Sequence, residues 1–342
     1  MAVRVGINGF GRIGRSFFRA LLARQGAAGV ELVAVNDPFG DAETMAFLLK
    51  HDSVGGTLPN AVSVTDTGFA VDAISVKKLE VREPSEIPWG DHGVDVVIES
   101  TGLFTGRAQA AGHLNGGAKR VVISAPSGDA DATICMGIND SVFDPSAHTV
   151  LSNASCTTNC LAPLAKVLDD SFGIEQGLIT TVHAYTSDQQ LQDQAVATRS
   201  GKPDLRRMRA AALSIVPSST GAARAIGMVL PSLKGKLDGT ALRVPTPTGS
   251  ITDLVAVLKT GVTAEDVNAA FKAAAADGAY RGVLEYSTEP LVSADIVGNP
   301  SSCVFSSVDT MASGQLVKVL GWYDNEWGYS NRLVDLIAFI GG

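Results

Sequence analysis

The stretch Val3-Arg4-Val5-Gly6-Ile7-Asn8-Gly9-Phe10-Gly11-Arg12-Ile13-Gly14 decides the reading of the fold. Residues 3–8 form a short apolar run of β character. Residues 12–23 repeat apolar side chains at helical spacing, through Ile13, Phe17 and Leu21. Between strand and helix, Gly9, Gly11 and Gly14 stand at the G-x-G-x-x-G spacing. One glycine permits the tight turn, the next lets backbone approach a pyrophosphate, and the third lets helix and strand pack closely. The N–H groups at the helix start then attract phosphate oxygens. A second strand is expected over Leu32–Val35, ending at Asn36-Asp37. Asp37 lies about 20 residues beyond the last glycine, where a carboxylate accepts the hydroxyls of an adenine ribose and repels a 2′-phosphate. This favours NAD over NADP. The competing reading is a tight turn in a nucleotide-free α/β protein, with Asp37 as a helix cap.

Further continuous apolar runs follow at Val94–Ile98 and Arg120–Ile123, each ended by small polar residues. Alternation with helical segments points to a parallel sheet covered on both faces. Beyond about residue 155 the texture changes. Leu161–Leu168 reads as helix, while Leu178–Val182, Thr240–Val244, Ile251–Leu258 and residues 315–320 read as strands of more alternating character. Ala264–Ala276 is an alanine-rich helix with Thr263 as N-cap and Gly278 as a stop signal. Leu333–Ile340 is an apolar helix. The expected fold class is α/β, a parallel-sheet nucleotide-binding domain joined to an α+β domain with a mostly antiparallel sheet.

The 342 residues carry a formal net charge of -8 and only 18% charged residues against 45% hydrophobic ones. That balance excludes a disordered chain, suggests much buried surface including subunit interfaces, and argues against nucleic acid. The run from Lys202 to Arg209, with Arg206 and Arg207, is the one local positive cluster. The first residues do not read as a signal peptide, and no apolar run is long enough to span a bilayer, so a reducing, cytoplasmic setting and no membrane partner are expected. Cys135, Cys156, Cys160 and Cys303 fit neither a disulfide framework nor a metal site.

Cys156 stands where the apolar run 149–151 meets a helix. A cysteine at a helix N-terminus has its thiolate stabilised by free N–H groups and the helix dipole, and the hydroxyls of Ser155, Thr157 and Thr158 can hold an anion beside it. Pro163 should bend that helix or delay its regular start. On these residues alone Cys156 is either a reactive or a structural cysteine; Cys160 lies one turn deeper and reads as packing, as do Cys135 and Cys303. A working thiolate needs a base. His51, His92, His113 and His148 stand in polar contexts and read as solvated. His183 ends a strand, and is either that base or a satisfied structural histidine.

Taken in order, several segments carry a resemblance to the phosphorylating glyceraldehyde-3-phosphate dehydrogenase family over nearly the whole chain. They are residues 5–15, Asn36-Asp37, Ser155-Cys156-Thr157-Thr158-Asn159-Cys160, His183-Ala184-Tyr185-Thr186, Ser219-Thr220-Gly221-Ala222-Ala223, residues 242–247 and residues 322–330. The resemblance implies a Rossmann-like NAD domain over 1–155, a catalytic domain over 156–321, and a last helix, 322–342, returning to the NAD domain. It implies a homotetramer acting on glyceraldehyde 3-phosphate and inorganic phosphate. Cys156 would be the nucleophile and His183 its base. Arg12, Ile13, Asp37, Arg82, Ser124 and Asn325 match positions that hold NAD. Thr186, Asp188 and Arg243 match the site for the substrate's phosphate. Ser155, Thr157, Arg207, Thr220, Gly221 and Arg243 match the site for the attacking phosphate.

One segment departs from the family pattern. Gln189–Pro203 is longer than the usual loop and lacks its Leu-Pro or Gly-Pro, which bears on the mouth of the site and on strict NAD preference. Rival readings are an erythrose-4-phosphate dehydrogenase or NADP-accepting variant on the same scaffold, a Cys/His hydrolase or acyltransferase, and a redox-sensing module built on Cys156.

Overall fold

A computed structural model describes residues 2–24, 29–195 and 204–341. The chain divides into two compact units. The first comprises residues 1–136, 140–154 and 330–342, and the second residues 137–139 and 155–329. The boundary at 154/155 is made by backbone geometry: Ala154 adopts a left-handed φ of 56°, unusual for a residue with a Cβ, immediately before the next helix.

The first unit is built on a nine-stranded sheet. Its strands are β1 (Val3–Asn8), β2 (Val30–Asn36), β3 (Val62–Thr65), β4 (Gly68–Val71), β5 (Ile74–Leu79), β6 (Val96–Glu99), β7 (Arg120–Ile123), β8 (Ala132–Thr133) and β9 (Val150–Ser152). Their spatial order is β8-β9-β7-β6-β1-β2-β5-β4-β3. From β8 through to β5 every pair is parallel. The pairs β5-β4 and β4-β3 are antiparallel, an edge meander that local periodicity did not reveal. The parallel strands are almost wholly apolar and buried, the pattern of a sheet covered on both faces, and Trp89 closes over Gly6, where a Cβ would lie 2.6 Å from its ring. Helix α1 (Arg12–Ala23) buries Phe17, Phe18 and Leu21. Helix α2 (Ala42–Lys50) is capped by Asp41, whose side chain accepts from the Thr44 N–H. Two single-turn helices follow, α3 (Arg107–Ala110) and α4 (Gly112–Asn115).

The second unit carries a seven-stranded sheet of β10 (Ile174–Ala184), β11 (Val216–Ser219), β12 (Leu237–Val244), β13 (Ser250–Leu258), β14 (Leu284–Ser287), β15 (Cys303–Ser313) and β16 (Leu316–Tyr323). The order is β11-β12-β10-β13-β16-β15-β14. Four of its pairings are antiparallel, and β10-β12 and β14-β15 are parallel. On β13, Thr252, Leu254, Ala256 and Leu258 are buried and the alternate residues are not, so one face of the sheet meets the core. Helix α5 (Cys156–Phe172) buries Leu161, Leu164, Ala165 and Leu168 there, and Gly321 lets Leu164 approach closely. Helix α6 spans Ala222–Val229 and α7 spans Ala264–Ala276. Thr263 caps α7 in a reciprocal capping box with Asp266, as its sequence predicts.

Two expectations are corrected. Pro163 does not delay its helix, which starts at Cys156 and runs on to Phe172. The last helix, α8, begins at Trp327, and only residues 330–342 belong to the first unit. Trp322 and Tyr323 remain in the second sheet because they complete β16 against β13.

Candidate active site

In the second unit, three neighbouring elements place Cys156 and its partners. Ser155 caps α5, its hydroxyl accepting from the Thr158 N–H at 3.0 Å, so Cys156 occupies the first helical position. Such a cap contributes about 1 kcal/mol to the helix. His183 lies near the end of β10, paired with Arg243 on the parallel strand β12. The Cys156 Sγ is 3.4 Å from His183 Nε2. On its other side, the His183 ring is 2.7 Å from the Ala184 carbonyl oxygen through Nδ1. A carbonyl only accepts, so Nδ1 carries the proton and Nε2 presents its lone pair to the thiol. Arg243 Nη1 also comes within 3.1 Å of Nδ1, but it has other acceptors, the Ala184 carbonyl at 3.1 Å and the Thr186 hydroxyl at 2.8 Å.

Burial pushes the Cys156 thiol up, opposed by the positive Arg243 and by the Thr157 hydroxyl and N–H. Burial, and then the charge of Arg243, hold His183 down to about 3. Both shifts favour the neutral forms, a thiol facing an imidazole whose Nε2 can accept its proton. Beneath them lies Tyr323. Its hydroxyl is 2.8 Å from both Thr157 Oγ1 and Thr181 Oγ1, and its ring stands edge-on to His183 with centroids 5.9 Å apart. Burial pushes the phenol up, so it stays protonated and braces both threonines. Tyr323 and Thr181 carried no sequence signal of their own, though Tyr323 falls in the matched segment 322–330.

The residues expected at the anion sites form one chain of contacts. Arg243 bonds Thr186, the Thr186 hydroxyl donates to Asp188, and Asp188 pairs with Arg207. Arg207 also donates to Ser218 Oγ through Nε at 2.9 Å and Nη2 at 2.8 Å. Burial pushes Asp188 up, but the Thr186 hydroxyl and the two arginines outweigh it and hold its carboxyl below the usual range. Thr220 Oγ1 accepts from Ala222 N, and Gly221 precedes α6 with open space where a Cβ would stand. Asn325 is buried, its amide oxygen accepting from Ser250 at 2.8 Å. Of the unusual segment 189–203, Asp193 pairs with Arg209, while residues 196–203, and Lys202 of the basic run, lie outside the described residues.

In the first unit the glycine loop has the expected shape. Gly9 sits at φ 91°, and at Gly14 a Cβ would lie 2.6 Å from the Gly9 carbonyl, whereas Gly11 faces open space. Each oxygen of Asp37 accepts one backbone N–H, from Phe10 and from Phe39, both at 2.9 Å. Asp37 thus locks the loop to the end of β2 with lone pairs to spare, and it caps no helix. Arg12 pairs with Asp52, which also accepts from the N–H groups of Val54 and Gly55. Arg82 lies over the exposed Phe39 ring at 5.5 Å. Ile13 is half-buried, and Ser124 Oγ donates to the Glu99 carbonyl at 3.1 Å. One histidine was misread: His113 is fully buried between Trp89 and Glu99. Among the described residues no cluster of side chains is suited to a metal ion.

Residues 3–107 match the family model described as the glyceraldehyde 3-phosphate dehydrogenase NAD binding domain, and residues 155–325 match the model of its C-terminal domain. The chain belongs to the glyceraldehyde-3-phosphate dehydrogenase family. It is 59% identical over 342 residues to the glyceraldehyde-3-phosphate dehydrogenase of Streptomyces coelicolor, and 61% identical over 345 residues to that of Mycobacterium avium. The Mycobacterium tuberculosis protein of the same name is 60% identical over 345 residues. Each match covers 100% of this chain and 99% of the relative. Family members thus align across both units, including the segments that hold Cys156, His183 and the glycine loop.

Proposed function

We propose that the chain oxidises D-glyceraldehyde 3-phosphate to 1,3-bisphosphoglycerate with NAD and inorganic phosphate, using Cys156 as nucleophile and His183 as base. The observation that carries this reading is the contact of the Cys156 thiol with a bare His183 Nε2 beside two arginines. Cofactor and loop fit: Gly11 leaves room for a phosphate against backbone N–H groups, and both Asp37 oxygens keep accepting capacity. Bound NAD supplies the hydride acceptor.

Cys156 Sγ forms a bond to the aldehyde carbon as its proton passes by way of His183 to the former carbonyl oxygen, giving a hemithioacetal and leaving His183 neutral again. His183 then serves again, taking the hydroxyl proton while the carbon's hydrogen leaves as hydride, and a thioester remains on Cys156. The N–H of Cys156 at the start of α5 is suited to bind the oxyanion. Phosphate oxygen attacks the thioester carbon, and the departing Cys156 thiolate recovers a proton through His183. Thr186, Asp188 and Arg243 would hold the substrate's phosphate. Ser155, Thr157, Arg207, Thr220, Gly221 and Arg243 would hold the attacking one, with the N–H groups and forked guanidinium groups as donors. The thioester stores the oxidation energy that water would dissipate, which is why the second anion site matters. With purified protein, aldehyde and NAD, steady NADH formation should require inorganic phosphate. Sustained turnover at the same rate without phosphate would remove the acyl-transfer half of the reading.

The working form proposed is a homotetramer. The solvent side of the second sheet supports it: Leu178, Val255, Lys318 and Met311 lie in register across β10, β13, β16 and β15, and Leu178 and Met311 are 66% and 63% exposed. Large apolar side chains standing exposed on one sheet face, with a lysine between them, suit an association surface. Light scattering at micromolar protein should give four times the chain mass; a monomer mass would refute assembly. A cytoplasmic setting is proposed with it, supported by four cysteines of which none is joined in a disulfide. No helix is long and apolar enough to cross a membrane among the described residues.

A further inference from the structure

We infer that Glu99 is a positioning residue for cofactor binding: a buried carboxylate, fixed by donors that cannot reverse, which holds the Ser100–Thr101 peptide against Gly9. The inference rests on the proposed NAD reading of the glycine loop. It concerns a residue that the nucleotide fingerprint does not include.

Glu99 ends β6, and its place in the sheet is particular. β1 has β2 on one side and β6 on the other. The chain moves from β1 in one direction and later returns to pair on the opposite side, so the carboxyl ends of β1 and β6 border the crevice where open α/β sheets bind ligands. Asn8, Asn36 and Glu99 terminate β1, β2 and β6, and all three are buried. A buried carboxylate is costly unless charge-assisted hydrogen bonds surround it, and here the bonds can be followed atom by atom.

From one side, the Val81 N–H donates to Asn36 Oδ1 at 2.8 Å, which fixes the orientation of that amide. Asn36 Nδ2 then donates to the Val81 carbonyl at 2.8 Å and to Asn8 Oδ1 at 2.7 Å. Asn8 is thereby left with Nδ2 toward Glu99, and donates to Oε2 at 2.6 Å. From the other side, Trp89 Nε1–H can only donate, and it meets His113 Nδ1 at 3.0 Å. The imidazole proton is therefore on Nε2, which donates to Glu99 Oε2 at 3.0 Å. The Thr101 N–H donates to Oε1 at 2.9 Å. The Thr101 hydroxyl accepts from Leu103 N at 2.9 Å and donates to the same Oε1. Three backbone N–H groups, those of Val81, Thr101 and Leu103, and an indole set the directions, and none of the four can act as an acceptor. Glu99 must accept throughout, so only a carboxylate satisfies its surroundings.

What the carboxylate holds is the support of the cofactor loop. A Cβ on Gly9 would lie 2.7 Å from Thr101 N and 2.9 Å from Ser100 C, so the loop rests directly on this peptide. Ser100 Oγ donates to the Gly9 carbonyl at 2.7 Å and approaches the Asn8 carbonyl at 3.1 Å. Losing the bond to the Thr101 N–H would loosen the surface on which Gly9 turns.

The test is Glu99→Gln, whose amide must direct NH2 either at the Asn8 and His113 donors or at the Thr101 N–H. NAD affinity, measured by calorimetry, should weaken by about 10- to 100-fold, the cost of one or two donors left unsatisfied. The rate at which iodoacetamide alkylates Cys156 without NAD should stay as in the parent protein, because Cys156 belongs to the other unit. The double variant Asn8→Asp with Glu99→Gln returns one carboxylate to the network and leaves the glutamine oxygen on Thr101 N. It should recover a large part of the lost affinity, and it serves as the test if the single variant does not fold. Unchanged NAD affinity in Glu99→Gln overturns the inference. So does a parallel loss of NAD binding and Cys156 reactivity, which assigns Glu99 to folding alone. A parent protein that binds no NAD overturns instead the proposed cofactor reading.

Discussion

Cys156→Ser should lower NADH production from glyceraldehyde 3-phosphate and phosphate by at least about 10⁴-fold, the scale on which losing a covalent nucleophile acts. Burial already pushes the Cys156 thiol up, and Arg243 with the Thr157 donors only partly offsets it. A serine hydroxyl is a far weaker acid in the same enclosure, and nothing described there would ionise it. The variant should still bind NAD, since the glycine loop and Asp37 belong to the other unit. Substantial turnover by Cys156→Ser in a steady-state assay would end the case for a thioester.

His183→Gln should lower kcat/KM by about 10² to 10⁴, the usual worth of a positioned acid–base. Combined with Cys156→Ser, it should cost little beyond the serine change alone, because nucleophile and base act as one unit. The same variant has a second, independent signature. Burial and the charge of Arg243 hold His183 at about 3 in the fold, against an ordinary 6.5. Above pH 6.5 neither state carries the extra proton, and the fold has the full benefit. As pH falls from 6.5 toward about 3, the unfolded chain binds a proton that the fold refuses, so stability declines across that window. His183→Gln lacks this proton. Denaturation midpoints at about pH 7 and about pH 5 should therefore differ less in the variant than in the parent. An identical acid loss in both would show that His183 is not the group responsible.

Much of this site is visible along the chain because it is made by local backbone chemistry. The glycine loop, the capped start of α5 and the end of β10 are each written in a few consecutive residues, and those residues fold where that chemistry places them. The parallel core of the first sheet was readable for a similar reason: strands buried on both faces are continuous apolar runs. The antiparallel edge strands at 62–79 were not, since they are short and their burial follows no single pattern, from the largely exposed 62–65 to the buried 68–71. His113 was misread because its neighbours in sequence are glycines, Asn115 and other loop formers. Its bonding partners, Glu99 and Trp89, lie 14 and 24 residues away, and only the sheet brings them together. Asp37 shows the opposite case: its position was evident, while its service to the Phe10 and Phe39 N–H groups was not. The chain of contacts from Arg207 through Asp188 and Thr186 to Arg243 depends on three separate segments, and no local spacing encodes it.

The division of the chain at residues 154 and 330 has a consequence during synthesis. The first unit is begun first but finished last. Residues 330–341 bring Leu333, Val334, Leu336 and Ile337, all fully buried, and Arg24 waits for Asn331 and Asp335. All of the second unit's main segment, 155–329, must be translated before that helix appears. At typical ribosome speeds this takes about 10 to 40 seconds, a long interval beside most folding steps. Throughout it the nascent nucleotide-binding unit keeps an apolar strip open to solvent or to a chaperone. The catalytic unit, continuous apart from three residues, has no such wait.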